Sequence, residues 1–251
     1  MNPLIAFYRI LLMTRIGFTT WFRTQEILVS IFVSSILYIA VFGLIFSRLS
    51  YPGYIAYIVP GVVSTYSAML PIYPVGTLIH IAMGRGGYYA YVMPVPRWSI
   101  VAVRIIVSLV LVVIASINTI ASYWILAGYP NPALLIAILP AATLTISISL
   151  IYASLAYIMR DVPRYFTLIP SLSTILSIAS TAYYPPASLS YVPSILKEII
   201  EINPISLSAD ISRILLGVLD GEITIKIAIL AIELTMISIP LSMVLTRKLE
   251  F

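Results

Sequence analysis

The stretch from Ala133 to Met159 reads ALLIAILPAATLTISISLIYASLAYIM and contains no charged residue. A helix needs about 20 apolar residues to cross the roughly 30 Å hydrocarbon layer of a bilayer, and this stretch is longer than that. We therefore predict that it spans a membrane, and the rest of the chain is searched for further runs of this kind.

The composition of the whole chain supports a lipid environment. Apolar and aromatic residues make up 61% of the 251 residues and charged residues 9%, whereas an ordinary globular protein carries about 25% charged residues. The chain has no cysteine, which excludes disulfides, thiolate nucleophiles and iron–sulfur clusters. Its single histidine, His80, excludes a multi-histidine metal site. We therefore predict no catalytic residue and no metal site.

Six apolar runs predict an all-α, polytopic membrane protein with six transmembrane helices. Prolines at positions 60, 71 and 74 each remove a backbone hydrogen bond from the second run, so we expect a kinked helix there. The six runs are Ile27 to Ser47, Tyr54 to Met83, Ser99 to Leu126, Ala133 to Met159, Tyr165 to Ala182 and Ile223 to Leu245.

The distribution of basic residues predicts the orientation. With the amino terminus in the cytoplasm, ten of the 14 Lys and Arg residues fall inside, as the positive-inside rule requires. Both termini are then cytoplasmic in a multi-pass protein of the cell membrane. The four outside are Arg48, Lys197, Arg213 and Lys226, and the ten inside are Arg9, Arg15, Arg23, Arg85, Arg97, Arg104, Arg160, Arg164, Arg247 and Lys248.

The segment 1–26 precedes the first apolar run and carries arginines on one helical sector. With Trp21 and Phe22 at headgroup level, it predicts a cytoplasmic interfacial helix. The alternative is a simple cytoplasmic extension of the first span. The domain prediction is therefore an interfacial helix over 1–26 and a six-span transmembrane domain over 27–251.

The inside loop 84–98 is the most unusual polar segment. Glycines open it, and Pro94-Val95-Pro96 ends it, leaving room for a short projecting helix with three tyrosines. Such a helix suits docking of a soluble partner, and the alternative is a basic interfacial loop. The loop lacks the Gly-Lys-Ser/Thr ending of a phosphate-binding loop, so any nucleotide must bind to a second polypeptide.

The outside segment 183–222 is too polar to span. Its start is proline-rich, and two short helices are predicted, roughly Pro193 to Glu201 and Ser206 to Leu219, with a turn at Asn203-Pro204. We predict an outer re-entrant helical hairpin before the last span. Within that span, Glu233 is an intramembrane acid and a functional candidate by default. The alternatives are a satisfied hydrogen bond inside the bundle or a misplaced span boundary.

Five short motifs follow one another in order among the predicted spans. They are Tyr57-Ile58-Val59-Pro60-Gly61, Pro94-Val95-Pro96-Arg97, Arg160-Asp161-Val162, Asn203-Pro204-Ile205 with Arg213 nine residues after the proline, and Leu215-Leu216-Gly217. Together they resemble the membrane-spanning permease subunit of the type-2 ABC exporters, the drug, antibiotic and polysaccharide export class.

The resemblance implies a homodimer of permeases, each bound to a cytoplasmic ATPase subunit that holds ATP and Mg, so that this chain itself carries no cofactor and is not an enzyme. It also implies two groups of functional residues. Those for coupling to the ATPase are Arg85, Tyr88, Tyr89, Tyr91, Pro94, Arg97, Arg160 and Asp161, and those of an outer gate are Tyr183, Tyr184, Pro185, Asn203, Pro204 and Arg213.

Short outer loops favour a small amphipathic or lipid-like cargo for such an exporter. A polysaccharide or glycolipid is the alternative cargo, since 18 Tyr, 8 Phe and 3 Trp include enough rings to line a sugar channel. The rival mechanism is an ion-gradient secondary transporter that uses Glu233 as its proton carrier. Membrane lipid is an expected partner, and nucleic acid is not.

Overall fold

The computed structural model describes residues 8, 11–15, 25–45, 54–82, 97–128, 130–185, 189–190, 192–233 and 235–236. Every regular element in these ranges is a helix, in agreement with the all-α prediction. Of the predicted interfacial segment 1–26, residues 11–15 are helical, and most of the segment lies outside the described residues.

The helices follow the apolar runs with shifted ends. Helix α1 continues directly into a π-helical segment, Tyr38–Leu44, and the last apolar run is helical over 223–233. A 3₁₀ turn, Pro132–Ala137, leads into α6. The helices are α1 (Gln25–Leu37), α2 (Tyr54–Met69), α3 (Ile72–Gly76), α4 (Leu78–Ala82), α5 (Arg97–Ala127), α6 (Ile138–Met159), α7 (Val162–Ile178), α8 (Ser194–Ile202) and α9 (Pro204–Leu215).

Three helical stretches in the described residues are long and apolar enough to cross a membrane: Tyr54–His80, Trp98–Ala127 and Pro132–Met159. A shorter apolar helix covers Val29–Gly43. Helix α7 has 17 residues, fewer than the roughly 20 that a full span needs. The chain is thus a helical membrane protein, and the count of six spans stays a prediction.

The second apolar run is interrupted, as its prolines predict. Helix α2 ends at Met69, and α3 begins after Pro71. Two tyrosine hydroxyls donate to carbonyls beside the break: Tyr152 to that of Ala68 at 3.0 Å and Tyr165 to that of Ile72 at 3.3 Å. These bonds satisfy polar backbone groups that would be costly in an apolar interior.

Helix α2 lies at the centre of the bundle. It packs against α5, α6, α7, α9 and the π-helical segment, and nearly all of its residues are buried. Hydroxyl groups join it to its neighbours. The Tyr66 hydroxyl of α2 lies 2.8 Å from Ser35 Oγ of α1. The Thr119 hydroxyl of α5 donates to the same Ser35 oxygen at 3.3 Å. This position lets α2 contact both α9 and the helices beside the break.

The two helices predicted for the segment 183–222 differ in burial. No residue of α8 is buried, whereas every residue from Ile205 to Arg213 of α9 is buried. Helix α9 begins at Pro204, two residues earlier than predicted, because Asn203 caps it and proline suits the first helical position. It ends at Leu215, before Gly217, whose φ of +67° suits the chain that follows a helix.

Candidate functional site

The centre of the candidate site is Arg213, whose side chain is fully buried on α9. Its Nε donates to the Tyr57 carbonyl at 3.0 Å, and its Nη2 donates to the Ala182 carbonyl at 3.0 Å. Its Nη1 donates to the Thr181 carbonyl at 3.0 Å. The guanidinium therefore links α9 to α2 and to the turn that follows α7.

Two further charged groups complete this cluster. Asp210 Oδ1 accepts from Arg213 Nη1 at 2.9 Å, and its Oδ2 accepts from Lys226 Nζ at 2.7 Å. The Thr181 hydroxyl donates to Asp210 Oδ1 at 3.0 Å. The Asp210 carboxylate is thus the counter-charge of the buried Arg213 guanidinium, and its second oxygen ties Lys226, and with it the last apolar run, to α9.

Hydrogen bonds to its backbone carbonyls hold the start of the chain between α7 and α8 against α2 and α9. The Tyr54 hydroxyl donates to the Tyr183 carbonyl, and the Tyr57 hydroxyl donates to the Tyr184 carbonyl at 3.0 Å. Consecutive carbonyls from Thr181 to Tyr184 thus receive donors from α2 and α9. This arrangement keeps an irregular segment inside an apolar bundle with its polar groups satisfied.

Gly61 lets this segment approach α2 closely. A Cβ at position 61 would lie 1.9 Å from the Ala182 carbonyl oxygen, a distance that the backbone cannot accommodate without moving. The close approach places Ala182 within reach of Arg213. Gly61 of the motif Tyr57-Ile58-Val59-Pro60-Gly61 therefore leaves space for the turn that follows α7.

Asn203 connects three helices. Its Oδ1 accepts from the backbone N–H of Ile205 at 2.9 Å and caps α9. Its Nδ2 donates to the carbonyls of Leu176 at 2.8 Å and Ala179 at 2.7 Å, at the end of α7. The residue also ends α8, so one side chain lies where α8 ends and α9 begins.

The structure brings the predicted gate residues into this region in different ways. Arg213 and Asn203 are buried hydrogen-bonding centres, and Pro204 is the first residue of α9. The Tyr183 ring stacks at 5.7 Å on Tyr38 of the π-helical segment, whereas the Tyr184 ring is exposed. Pro185 is half-buried beside them.

Most of the predicted coupling residues lie outside the described residues, namely Arg85, Tyr88, Tyr89, Tyr91 and Pro94. Arg97 is the first residue of α5. Arg160 ends α6 in the left-handed conformation with φ of 49° and is exposed. Asp161 caps α7 by accepting from the Arg164 N–H at 2.9 Å. These last two residues form a sharp, capped turn between α6 and α7.

Glu233 is half-buried on the helical segment 223–233, and its Oε2 is buried with no hydrogen-bond partner. Among the described residues, no group of three or more His, Cys, Asp or Glu side chains is placed to hold a metal ion. The chemistry of the cluster formed by Arg213, Asp210, Thr181 and Lys226 is hydrogen bonding and charge pairing.

Sequence reasoning did not assign Thr181, Asp210 or Lys226 to the site. The spacing of Asp210 and Arg213 is a usable signal, because residues three apart are neighbours on a helix. Thr181 carries no such signal, since its hydroxyl meets Asp210 across 29 positions of the chain and the carbonyl that it offers to Arg213 is one that every residue has. Lys226 lies on another helix, so only the fold brings it to Asp210.

Comparison with known protein families gives a match over most of the chain. A family model described as ABC-2 type transporter matches residues 8–216. No curated protein and no solved structure shows significant similarity to the chain. The matched range includes Thr181, Asp210 and Arg213 of the cluster and excludes Lys226.

Proposed function

Because the chain belongs to the ABC-2 type transporter family and is thereby a membrane permease component of an ABC transporter, we propose that it forms half of a homodimeric exporter. Each copy binds a cytoplasmic ATPase subunit, as permeases of this family normally do. ATP and Mg bind to that subunit, and this chain supplies the translocation path. The cargo is a small amphipathic or lipid-like molecule.

The observation that supports this proposal most directly is the position of α2. Its outer half carries Tyr57 and Gly61, which contact Arg213 and Ala182 across hydrogen-bonding and van der Waals distances. Its other end continues through α3 and α4 towards the loop 84–98. A single stretch of chain therefore connects the predicted coupling loop to the cluster around Arg213.

The mechanism follows from this connection. ATP binding by two ATPase subunits draws them together and displaces the two loops 84–98. The displacement passes through α2 to the turn that follows α7, because Arg213 donates to the Tyr57 carbonyl of α2 and to the Ala182 carbonyl of that turn. ATP drives the change only through its unequal affinity for the two states of the transporter. The path opens outward at the seam between the two permeases.

Each group of predicted residues has a role in this scheme. Tyr88, Tyr89 and Tyr91 dock into the ATPase with Arg85 and Arg97 beside them, and Arg160 and Asp161 form a second contact. Tyr183, Tyr184 and Pro185 close the path on the outer side, and Asn203, Pro204 and Arg213 hold them there. The interfacial helix over 1–26 lies along the cytoplasmic membrane surface, where the lipid headgroups and the ATPase meet.

The test begins with purification of the chain with its ATPase partner. Replacing Tyr88, Tyr89 and Tyr91 together by alanine is expected to abolish co-purification and ATP-dependent export of a fluorescent amphiphile into inside-out vesicles. Tyr184→Ala, on the outer side, is the control for co-purification and leaves it unchanged. If the triple variant still binds the ATPase and exports at the normal rate, the coupling assignment is wrong.

A further inference from the structure

Helix α3 lies between the break in the second apolar run and α4, on the stretch of chain that leads to the loop 84–98. Two prolines weaken its backbone connection to α2. Pro71 offers no N–H to the carbonyl of Ser67, and Pro74 offers none to that of Leu70, the partners that a regular helix would give them. Bending at the break therefore costs fewer backbone bonds than bending within a regular helix, and the position of α3 depends on its contacts with other helices.

The start of α7 contacts α3 through two consecutive aromatic residues. The Tyr165 side chain is fully buried, and its hydroxyl donates to the Ile72 carbonyl at 3.3 Å. The Phe166 ring stacks on that of Tyr73, with 6.4 Å between the ring centres. A Cβ on Gly76 would lie 2.7 Å from atoms of both the Tyr165 and the Phe166 ring. The first, second and last residues of α3 therefore all contact α7.

A second tyrosine makes the same kind of bond on the other side of the break. The Tyr152 hydroxyl of α6 donates to the Ala68 carbonyl of α2 at 3.0 Å, and this tyrosine is also buried. The two bonds are alike in chemistry and in burial. One of them holds α2 to α6, whereas the other holds α3 to α7, so they form a matched pair for an experiment.

Helix α7 begins beside the predicted second contact with the ATPase, the turn Arg160-Asp161. Tyr165 lies four residues after Asp161, which is about 6 Å along the helix axis. The far end of α7 leads into the turn whose carbonyls accept from Arg213. The chain from the loop 84–98 and the chain from the turn 160–161 therefore meet where Tyr165 contacts α3, and α7 continues from there to the cluster around Arg213.

We propose that Tyr165 is a positioning residue for coupling. Its hydrogen bond to Ile72 holds α3 on α7, so that the two predicted coupling segments move as one unit. Without this bond, α3 bends at the break, and its displacement reaches α7 only in part. Coupling is a free energy between two movements, and one hydrogen bond contributes to it. The inference rests on the proposed function, because it concerns how a movement of the ATPase reaches the turn that follows α7.

The experiment measures how many molecules of a fluorescent amphiphile are exported per ATP hydrolysed, in inside-out vesicles that carry the permease with its ATPase. Tyr165→Phe removes only the hydroxyl, and we expect this ratio to fall about fivefold while ATPase binding and hydrolysis stay normal. Tyr152→Phe is the matched control and is expected to keep the native ratio. The midpoint of thermal unfolding is expected to fall by a similar amount in both variants, since each loses one buried hydrogen bond.

Gly76→Ala tests the same contact without removing a hydrogen bond. The new Cβ would lie 2.7 Å from both rings and would force α3 away from α7, so we expect the ratio of export to ATP hydrolysis to fall here too. Gly43→Ala is its control, because the nearest neighbour of that Cβ would lie at 3.6 Å. This control is expected to keep the native ratio.

The outcomes separate this inference from the proposed function. A native complex without ATP-dependent export contradicts the proposed function, and the inference fails with it. Normal native export together with a native ratio in Tyr165→Phe overturns the inference alone. An equal fall of the ratio in Tyr165→Phe and Tyr152→Phe also overturns it, because both bonds would then act only on stability. A lower ratio in Tyr165→Phe and Gly76→Ala, with both controls at the native value, supports it.

Discussion

The guanidinium carbon of Arg213 lies 3.5 Å from the centre of the Tyr57 ring, and its Nε donates to the carbonyl of the same residue. Tyr57 thus contacts the cation through both its ring face and its backbone. Such stacking is favourable because the ring face carries negative charge density. The contact joins α9 to α2 at a point where neither side chain can be replaced by a smaller one without loss.

Arg213→Lys tests this contact. Lysine keeps the positive charge but cannot reach the carbonyls of Tyr57, Thr181 and Ala182 together, because it lacks the planar fork. We expect the variant to lose about 2 to 4 kcal/mol of stability, measured as a lower midpoint of thermal unfolding in detergent. Arg164→Lys is the control, since its side chain is 75% exposed. Equal midpoints for the two variants would contradict the structure.

Gly61→Ala tests the close approach of α2 and the turn that follows α7. Alanine normally favours a helix over glycine by about 1 kcal/mol, but the new Cβ would meet the Ala182 carbonyl at 1.9 Å. We expect a net destabilisation of about 1 to 3 kcal/mol and loss of export. Gly43→Ala is the matched control, because its nearest neighbour would lie at 3.6 Å. A more stable Gly61→Ala would show that the turn does not lie against α2.

Asn203→Ala tests the link between the outer helices. The variant loses both the cap of α9 and the donor to the end of α7, and we expect it to cost about 1 to 3 kcal/mol. Asn131→Ala is a matched control, since Asn131 also precedes a proline and accepts from Ala133 N at 3.1 Å. It is expected to cost less, as a lone exposed cap. A larger effect at Asn131, in the same unfolding assay, would refute the double role of Asn203.

Glu233→Gln separates ATP-driven export from transport driven by a proton gradient. Glutamine keeps the shape and polarity of the side chain but carries no titratable proton. If ATP supplies the energy, we expect export into inside-out vesicles to stay within about twofold of normal and to resist an uncoupler. Loss of transport in the variant, together with collapse of native transport by an uncoupler, would favour the secondary transporter.

The apolar helices were accessible to sequence reasoning because hydrocarbon thickness fixes their length. The runs around α5 and α6 are long and poor in charge, and the structure places helices there. The break in the second run also followed from its composition, because Pro71 and Pro74 each remove a backbone donor. These features depend on local sequence alone.

The burial of α9 could not be predicted from the sequence in this way. The helix carries Ser206, Ser208 and Ser212 together with two charged residues, so its sequence resembles a surface helix. It is buried because its hydroxyls find partners elsewhere in the chain: Ser206 accepts from the Thr181 N–H at 2.8 Å, and Ser64 donates to Ser208 at 3.0 Å. Such pairs join residues far apart in sequence, and only the fold shows them.

The bond between Asn203 and the Ala179 carbonyl closes the neck of a loop. Helix α8, in which no residue is buried, lies on the chain between these two ends. Since the two ends are fixed to each other, the length of the loop adds only a small entropic cost. The chain between Ala179 and Asn203 is therefore the part of the permease that evolution can lengthen, shorten or replace while the helices of the bundle keep their packing.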